Sequence, residues 1–129
     1  MKDTVAVIGA GPAGLLAASF AAQRGKKVCL IEKNKIIAKK LLITGKGRCN
    51  VTNDCSTEEF LQNVPTNPRF LYSALSVLST QDVKDFFENE GVPLKTERGK
   101  RVFPVSDKAR DIVDALVKKA LASPCVITG

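Results

Sequence analysis

A glycine pattern near the amino terminus is the first feature of this chain that suggests chemistry. The GxGxxG pattern is formed by Gly9, Gly11 and Gly14, with Pro12 and Ala13 between the last two. The first glycine permits a tight turn, the second lets a diphosphate approach the backbone, and the third lets a helix pack closely on a strand. A helix that starts at Pro12 offers free N–H groups and a positive dipole end to the diphosphate.

Glu32 completes the signature of a dinucleotide site, because it ends the next apolar run about twenty residues beyond the last glycine. Its carboxylate can accept hydrogen bonds from ribose hydroxyls, and its charge disfavours a 2′-phosphate. Lys33 follows directly and is included in the predicted site. The alternative interpretation is a glycine turn with no ligand. FAD and NAD share this fingerprint, so it does not choose between them.

A second glycine-rich segment favours FAD over NAD. Residues 39–50 place two glycines among four cations soon after the second apolar run. Glycines spaced in this way let backbone N–H groups converge on an anion, and arginine adds bidentate contacts. A flavin needs a second loop because its ribitol and ring extend beyond the first turn. The alternative interpretation of this segment is a mobile basic surface loop that binds no ligand. The glycines are Gly45 and Gly47, and the cations are Lys39, Lys40, Lys46 and Arg48, of which Lys46 and Arg48 add positive charge beside the glycines.

Three elements must position the glycine turn and Glu32. Residues 4–8 form an apolar run that is typical of a strand buried on both faces of a parallel sheet. A helix is predicted over residues 12–24, with Gly25 as its stop, and a second buried strand over residues 27–32. This strand, helix and strand form a βαβ unit and predict a Rossmann-like α/β domain.

The remaining chain is predicted to form a loop, helices and a hairpin. Residues 33–53 show no clear period, which predicts a long ordered loop with a helical turn at residues 36–41. Ser79 and Asp82 have capping-box spacing, Arg98 and Gly99 suit a hairpin tip, and Ser106 suits a helix cap. The predicted elements are helices over residues 57–62, 67–78 and 81–90, a hairpin over 92–103, a helix over 107–122 and a strand over 125–128.

The predicted last strand has no turn or partner after it. We therefore expect residues 1–129 to be the N-terminal part of an FAD-binding domain. The remainder of that domain and a substrate domain would lie outside this chain and would be needed to complete the site.

The charge balance narrows the class of partner. The chain has 20 Lys and Arg against 13 Asp and Glu, a net charge of +7, and its cations concentrate in residues 24–48. Such a cluster favours a nucleic acid, a membrane surface or a phosphorylated cofactor. Because these cations interleave with glycines and aromatic residues are few, we expect a small-molecule substrate and no nucleic-acid partner. The absence of a signal-peptide pattern and of a long apolar stretch predicts no membrane partner and a cytoplasmic location.

The cysteines and the lack of histidine constrain the chemistry. Four cysteines include no CxxC pair and the chain has no histidine, which disfavours a zinc site and excludes a histidine base within it. Cys29 and Cys125 lie in apolar runs and are predicted to be reduced core residues. Cys49 and Cys55 are spaced one residue wider than the redox pair of flavin disulfide reductases. A buried or flavin-adjacent thiol is the preferred interpretation of Cys49.

Three separated segments of the chain resemble a bacterial flavoprotein family. The segments GAGPAGL at residues 9–15, KKLLITGKGRCNVTN at residues 39–53 and KRVFPVSDKARDIVDAL at residues 100–116 are similar to signatures of the BaiN/YhiN-like NAD(P)/FAD-dependent oxidoreductases. The resemblance implies a two-dinucleotide-binding-domain flavoprotein fold, apparently truncated here, because family members are considerably longer. It places FAD across the first turn, Glu32 and residues 39–50. The resemblance implies that the diphosphate and the flavin end contact Lys39, Lys40, Gly45, Gly47, Arg48 and Asn50, and the predicted site also includes Thr44, Lys46 and Cys49. Ala38 departs from the family, which usually has glycine there.

These patterns together predict an FAD-dependent oxidoreductase. FAD would take a hydride from NAD(P)H and pass it to an organic substrate or pass electrons to oxygen, and the resemblance implies reduction of an activated C=C bond. Lys46, Arg48 and the backbone at Gly45 and Gly47 would stabilise reduced, anionic flavin. The sequence identifies no catalytic acid or base. Two alternatives are a non-catalytic nucleotide-binding module and a flavin disulfide oxidoreductase using Cys49 and Cys55.

Overall fold

Two small sheets organise the part of the chain that the structure describes. The computed structural model describes residues 3–122 and 125–129, with only the backbone of Cys125–Thr128. A parallel sheet has the order β1-β2-β6 and an antiparallel sheet the order β3-β5-β4. The strands are β1 (Thr4–Ile8), β2 (Lys27–Ile31), β3 (Thr52–Asn53), β4 (Leu94–Glu97), β5 (Arg101–Pro104) and β6 (Cys125–Thr128).

The predicted βαβ start is confirmed. Helix α1 (Pro12–Gln23) begins with proline in its first turn, and Gly25 follows it with a φ of 76°. Strand β2 runs parallel to β1 over their full lengths, and β6 pairs parallel with the other side of β2. These elements form the start of a Rossmann-like α/β domain, with β2 ending at Ile31, one residue before its predicted end.

The main core lies between the parallel sheet and two helices. Helix α1 contacts β1, β2 and α5 (Ala109–Leu121), and α5 also contacts β6. Alanines on both helices allow this close approach, because Ala18 of α1 and Ala120 of α5 are fully buried. The largest fully buried side chains of this core are Leu15, Leu30, Ile112 and Leu116.

The prediction that β1 is buried on both faces is wrong. Its side chains alternate, so that Val5 and Val7 are half-buried whereas Ile8 is 85% exposed. The physical reason is that the helices in the described residues cover a single face of the parallel sheet. Cys29 on β2 pairs with Ala6 on β1, and Ala6 is exposed. Cys29 is itself only partly buried, so the prediction that it is a core residue is also wrong. The side chain of Cys125 lies outside the described residues.

Local capping signals in the middle of the chain predict the helices well. Helix α2 (Thr57–Gln62) has its predicted bounds, and α4 (Thr80–Asn89) begins at the predicted capping box of Ser79 and Asp82. The helix predicted over residues 67–78 is instead divided into a 3-10 turn, Pro68–Leu71, and α3 (Tyr72–Val77).

The antiparallel sheet is only partly anticipated by the sequence. The predicted hairpin is β4 and β5, and Gly99 lies in the tight turn Arg98–Lys100 that joins them. Strand β3 comes from the predicted loop and pairs antiparallel with β5. A strand of two residues is too short to show a period of two. The predicted helical turn at residues 36–41 is also displaced, because the 3-10 segment spans Leu41–Gly47.

Helix α5 begins two residues later than predicted, because Asp107 has a φ of 58° that a helix does not allow. The predicted cap at Ser106 is therefore wrong: the cap residue is Lys108, whose side chain makes no capping hydrogen bond. The buried apolar face of the helix consists of Ala109, Ile112, Val113, Leu116 and Ala120, whereas Leu121 is 50% exposed. Among the described residues, no helix combines the length and the apolar character needed to span a bilayer.

The packing of α1 gives a prediction about Gly14. A Cβ at Gly14 would lie 1.8 Å from the carbonyl oxygen of Gly9, whereas a Cβ at Gly11 meets no described atom within 4 Å. Gly14→Ala must push the helix from the strand, so we expect it to lower the free energy of unfolding by at least about 2 kcal/mol. Gly11→Ala is the control and should change it by less than about 1 kcal/mol.

Denaturant unfolding of the two variants checks this prediction. Equal losses of stability in Gly14→Ala and Gly11→Ala would contradict the assigned packing role of Gly14.

Candidate cofactor-binding site

The glycine turn after β1 has the geometry that its pattern predicts. Gly9 has a φ of 100°, and its N–H donates to the carbonyl of Ile31 at 2.7 Å. Gly11 is extended, with φ −81° and ψ −178°, and a Cβ there would project into open space. Gly14 is in close contact with Gly9. The turn is therefore open to a ligand at the second glycine and closed by packing at the third.

The start of α1 is suited to an anion. Its cap residue, Gly11, provides no side-chain hydrogen bond, and the first turn of the helix, residues 12–15, contains no acidic residue. By contrast, Ser56 and Ser79 cap the starts of α2 and α4 with their hydroxyls. The first N–H groups of α1 are thus left without a side-chain partner and point toward the open side of the turn. Pro12 and Ala13, both predicted site residues, are exposed at this end.

The peptide of Ala10 ties the glycine turn to the segment that follows β2. Its N–H donates to Oε2 of Glu32 at 2.9 Å, and its carbonyl accepts from the N–H of Ala38 at 2.9 Å. Ala10 is completely buried. Sequence reasoning missed Ala10 because a variable position inside a glycine pattern carries no signal of its own.

Glu32 lies beside the turn, as predicted, but its carboxylate already has partners. Besides Ala10, it accepts from the backbone N–H of Asn34 at 2.8 Å and from Asn34 Nδ2 at 3.0 Å. The N–H of Asn34, followed by that of Ala10, lowers the pKa of Glu32 below its usual value. Glu32 thus holds the turn in shape, and its contact with a ribose stays a prediction.

The backbone at position 38, where the resemblance led us to expect glycine, has a conformation that suits glycine. Ala38 is buried and has a φ of 54°, a left-handed conformation that glycine adopts at lower cost. Lys39 and Lys40 follow it, and both are exposed, as is Lys33 earlier in the same segment. These three lysines are therefore free to present charge near the glycine turn.

The second predicted loop is a kinked 3-10 segment, Leu41–Gly47. Gly45 and Lys46 are both left-handed inside it, and Gly47 follows with a φ of 85°. A Cβ at Gly45 would lie 2.8 Å from the backbone nitrogen of Asn50, so only glycine fits. Lys46 is exposed at the turn, whereas the Thr44 hydroxyl donates to the Leu41 carbonyl at 2.7 Å and helps to shape the segment.

The end of this loop is bonded to the antiparallel sheet. Asn50 Nδ2 donates to the carbonyls of Thr52 and Val102 at 3.0 and 3.2 Å, and the N–H of Val51 donates to Val102 at 2.9 Å. The Asn50 amide is thus used to hold the loop. The contact between Asn50 and the flavin stays a prediction, and it would involve atoms of Asn50 other than Nδ2.

The two cysteines of the disulfide alternative are free thiols in the structure. Cys49 is buried, and burial raises the pKa of its thiol. Cys55 is partly buried, and burial followed by the charge of Glu59 also raises its pKa. The thiolate that attacks a disulfide is disfavoured at both positions.

Arg48 has partners other than the predicted diphosphate. Its guanidinium forms ion pairs with Glu97 and with Asp107, and it lies over the ring of Phe103. The hydrogen bonds from Glu97 and then Asp107 raise the pKa of Arg48 above its ordinary value. Sequence reasoning missed these partners, although Phe103 and Asp107 lie inside the third segment that resembles the flavoprotein family.

Comparison with known proteins places the chain in a family. The HI0933-like protein Rossmann domain matches residues 3–128. The chain belongs to this family. The match confirms the resemblance to BaiN/YhiN-like flavoproteins that the sequence signatures gave.

Two curated relatives and one solved structure illustrate the similarity. The chain is 36% identical over 111 residues to the ribosomal RNA dihydrouridine synthase of Escherichia coli, covering 86% of this chain and 27% of that protein. It is 32% identical over 116 residues to the 3-dehydro-bile acid delta(4,6)-reductase of Clostridium scindens, covering 88% and 28%. The THI4 structure of Thermovibrio ammonificans superimposes with a TM-score of 0.62 at 17% identity, covering 99% and 38%, and supports the fold. The chain thus spans little more than a quarter of these curated relatives.

The lowered pKa of Glu32 gives a prediction about stability and pH. A carboxylate whose pKa is lower in the folded state stabilises the fold at neutral pH, and this contribution is lost as the pH falls through the folded pKa. We expect Glu32→Gln to be less stable than the wild type at pH 7, and the difference to close below about pH 4. Glu88→Gln, at an exposed site on α4, is the control and should show no such difference.

Urea unfolding at several pH values measures the difference. A gap between wild type and Glu32→Gln that stays constant from neutral to acid pH would contradict the assigned hydrogen bonds.

Proposed function

We propose that this chain is the FAD-binding part of a flavin-dependent oxidoreductase. The observation that carries the proposal is the glycine turn, open at Gly11 and packed at Gly14, at the uncapped start of α1. A backbone turn of this form suits a diphosphate. Glu32 beside it suits a ribose, and membership of a flavoprotein family supports FAD as the dinucleotide.

The two loops suggest how the cofactor would be held. The start of α1 would bind the diphosphate, and Glu32 would bind the adenosine ribose with lone pairs that its present partners leave free. Lys46 and the backbone at Gly45 and Gly47 would lie toward the flavin end, because Gly45 and Lys46 are exposed on the second loop and Gly47 is half-buried beside them. Bound FAD supplies two-electron hydride chemistry, and positive charge beside the ring favours its reduced, anionic form.

NAD(P)H is the proposed reductant, and a C=C bond conjugated to a carbonyl is the proposed substrate group. The names of the two relatives support this class. The delta(4,6)-reductase is named for reducing C=C bonds of a 3-dehydro-bile acid, and dihydrouridine is uridine with its ring C=C bond reduced. Each reduction adds one hydride and one proton across a C=C bond polarised by a carbonyl. We assign the proton donor to no residue of this chain.

Ribosomal RNA is a second candidate substrate. It is favoured by the relative at 36% identity and by the net charge of +7, although the interleaving of cations with glycines predicts a small molecule instead. Because both substrates carry the same chemical group, they differ in what surrounds it and not in the proposed reaction.

Gly11→Val tests the cofactor proposal. The added side chain would fill the open side of the turn, so we expect complete loss of FAD binding with a change in unfolding free energy below about 1 kcal/mol. Ala17→Val, at an exposed position of the same helix, is the matched control and should bind FAD as the wild type does.

Visible absorbance of the purified protein that contains this chain at the full length of its relatives, and chromatography of cofactor released by heat, measure bound flavin. Wild-type protein that carries no flavin and takes up no added FAD would refute the proposal. Retention of FAD by Gly11→Val would refute the assigned diphosphate site.

A second experiment tests the reductant and the substrate in the flavin-loaded protein that contains this chain at the full length of its relatives. We expect NADH or NADPH to bleach the flavin absorbance without oxygen, and a conjugated steroid enone to restore it with a mass gain of two hydrogens in the product. Ribosomal RNA lacking dihydrouridine is tested in parallel. Restoration by RNA alone would select the second candidate, and bleaching without restoration by either would refute the substrate class.

A further inference from the structure

An ionic cluster joins the second loop to the antiparallel sheet. The cluster consists of Arg48, Lys95, Glu97 and Asp107. Arg48 Nε donates to Asp107 Oδ1 at 2.9 Å, and Arg48 Nη2 pairs with Glu97. Lys95 Nζ lies 2.9 Å from Asp107 Oδ2 and 3.2 Å from Glu97 Oε2. Each carboxylate therefore contacts both cations.

The cluster leaves little positive charge on Arg48 for a ligand. Two cations and two carboxylates balance, and the guanidinium carbon lies 4.0 Å from the centre of the Phe103 ring, which covers one of its faces. About a third of the Arg48 side chain is exposed, at 32%. A guanidinium with two carboxylate partners and one stacked face is built to hold protein segments together.

The segments that the cluster joins are the ones that shape the second loop. Arg48 directly follows the left-handed run at Gly45, Lys46 and Gly47. Phe103 also limits Gly45, because a Cβ there would lie 3.2 Å from its Cε1. Fixing Arg48 to β4 and to the start of α5 therefore fixes the carboxyl end of this turn.

We propose that Glu97 and Asp107 are positioning residues that act through Arg48 to hold the turn at Gly45–Gly47 in its cofactor-binding shape. Arg48 is then a link within the protein and not a ligand of the diphosphate. The inference rests on the proposed FAD site for its functional consequence. The inference replaces the predicted contact of Arg48 with the diphosphate. It also adds Glu97 and Asp107, two acidic residues that no sequence signature of cofactor binding would identify.

Glu97→Gln distinguishes the two roles because they predict opposite effects. If Arg48 bound the diphosphate directly, removing the carboxylate would release its charge and leave FAD binding unchanged or tighter. If Glu97 positions the turn, the variant should weaken FAD binding by about tenfold. Asp107→Asn should act in the same direction. Arg48→Lys keeps the charge but not the fork, so it should also weaken binding.

Glu90→Gln is the matched control, because it breaks the 3.1 Å pair of Glu90 with Lys119 elsewhere in the chain. It should leave FAD affinity unchanged. The dissociation constant of FAD is measured by quenching of flavin fluorescence, and the absorbance maximum of the bound flavin is recorded for each variant. Positioning variants should shift that maximum, whereas the control should not.

Amide hydrogen exchange of the ligand-free protein gives a readout that does not depend on FAD. In Glu97→Gln the segment 41–50 should exchange at least about tenfold faster than in the wild type, while α1 stays unchanged. Unchanged exchange, or FAD binding that is unchanged or tighter, overturns the inference. If wild-type protein binds no FAD, the proposed function fails, and exchange alone decides whether Glu97 holds the turn.

Discussion

Two hydrogen bonds at the Ala10 peptide join the glycine turn to the segment that follows β2. In one, the Ala10 N–H donates to the Glu32 carboxylate, and in the other the Ala38 N–H donates to the Ala10 carbonyl, so the turn is fixed from two points of the same segment. Because Ala10 is buried, losing either partner would leave its N–H or its carbonyl in the core without a hydrogen bond. The shape of the turn, the place of Glu32 and the path of the chain into the second loop all depend on this junction.

The charges around the candidate site are divided between structural and available groups. Arg48 and Lys95 are balanced by Glu97 and Asp107 within the protein. Lys39, Lys40 and Lys46 are exposed near the turns instead. An anionic ligand would therefore interact with less positive charge than the number of Lys and Arg in residues 24–48 suggests. Within residues 39–48, the planar fork of Arg48 joins segments of the protein, whereas the flexible Lys39, Lys40 and Lys46 lie on the surface.

The features predictable from the sequence are those set by neighbouring residues. The glycine turn, the start of α1 at Pro12 and the capping box of Ser79 and Asp82 each depend on groups a few residues apart. They were confirmed because local geometry alone requires those residue types.

The features that the sequence did not reveal depend on distant partners. Arg48 and Asp107 are 59 residues apart, and their ion pair has no signal in spacing or periodicity. The short strand β3 is defined by its pairing with β5, and the open face of β1 by which elements cover the sheet. In each case, tertiary contacts decide the outcome, and a single sequence does not show them. The sequence also does not show that Ala38 has the left-handed backbone conformation that glycine adopts most easily, which is seen only from its φ of 54°.

Four residues other than glycine are left-handed around the candidate site: Ala38, Lys46, Cys49 and Asp107. Each such conformation costs about 1–2 kcal/mol, and the surrounding hydrogen bonds and ion pairs must offset it. The folded chain therefore meets the conformational cost of these turns before any ligand arrives. A dinucleotide would bind to a preorganised surface, with little entropy lost in ordering the loops, and this stored strain is a reason for the site to tolerate few changes in its supporting residues.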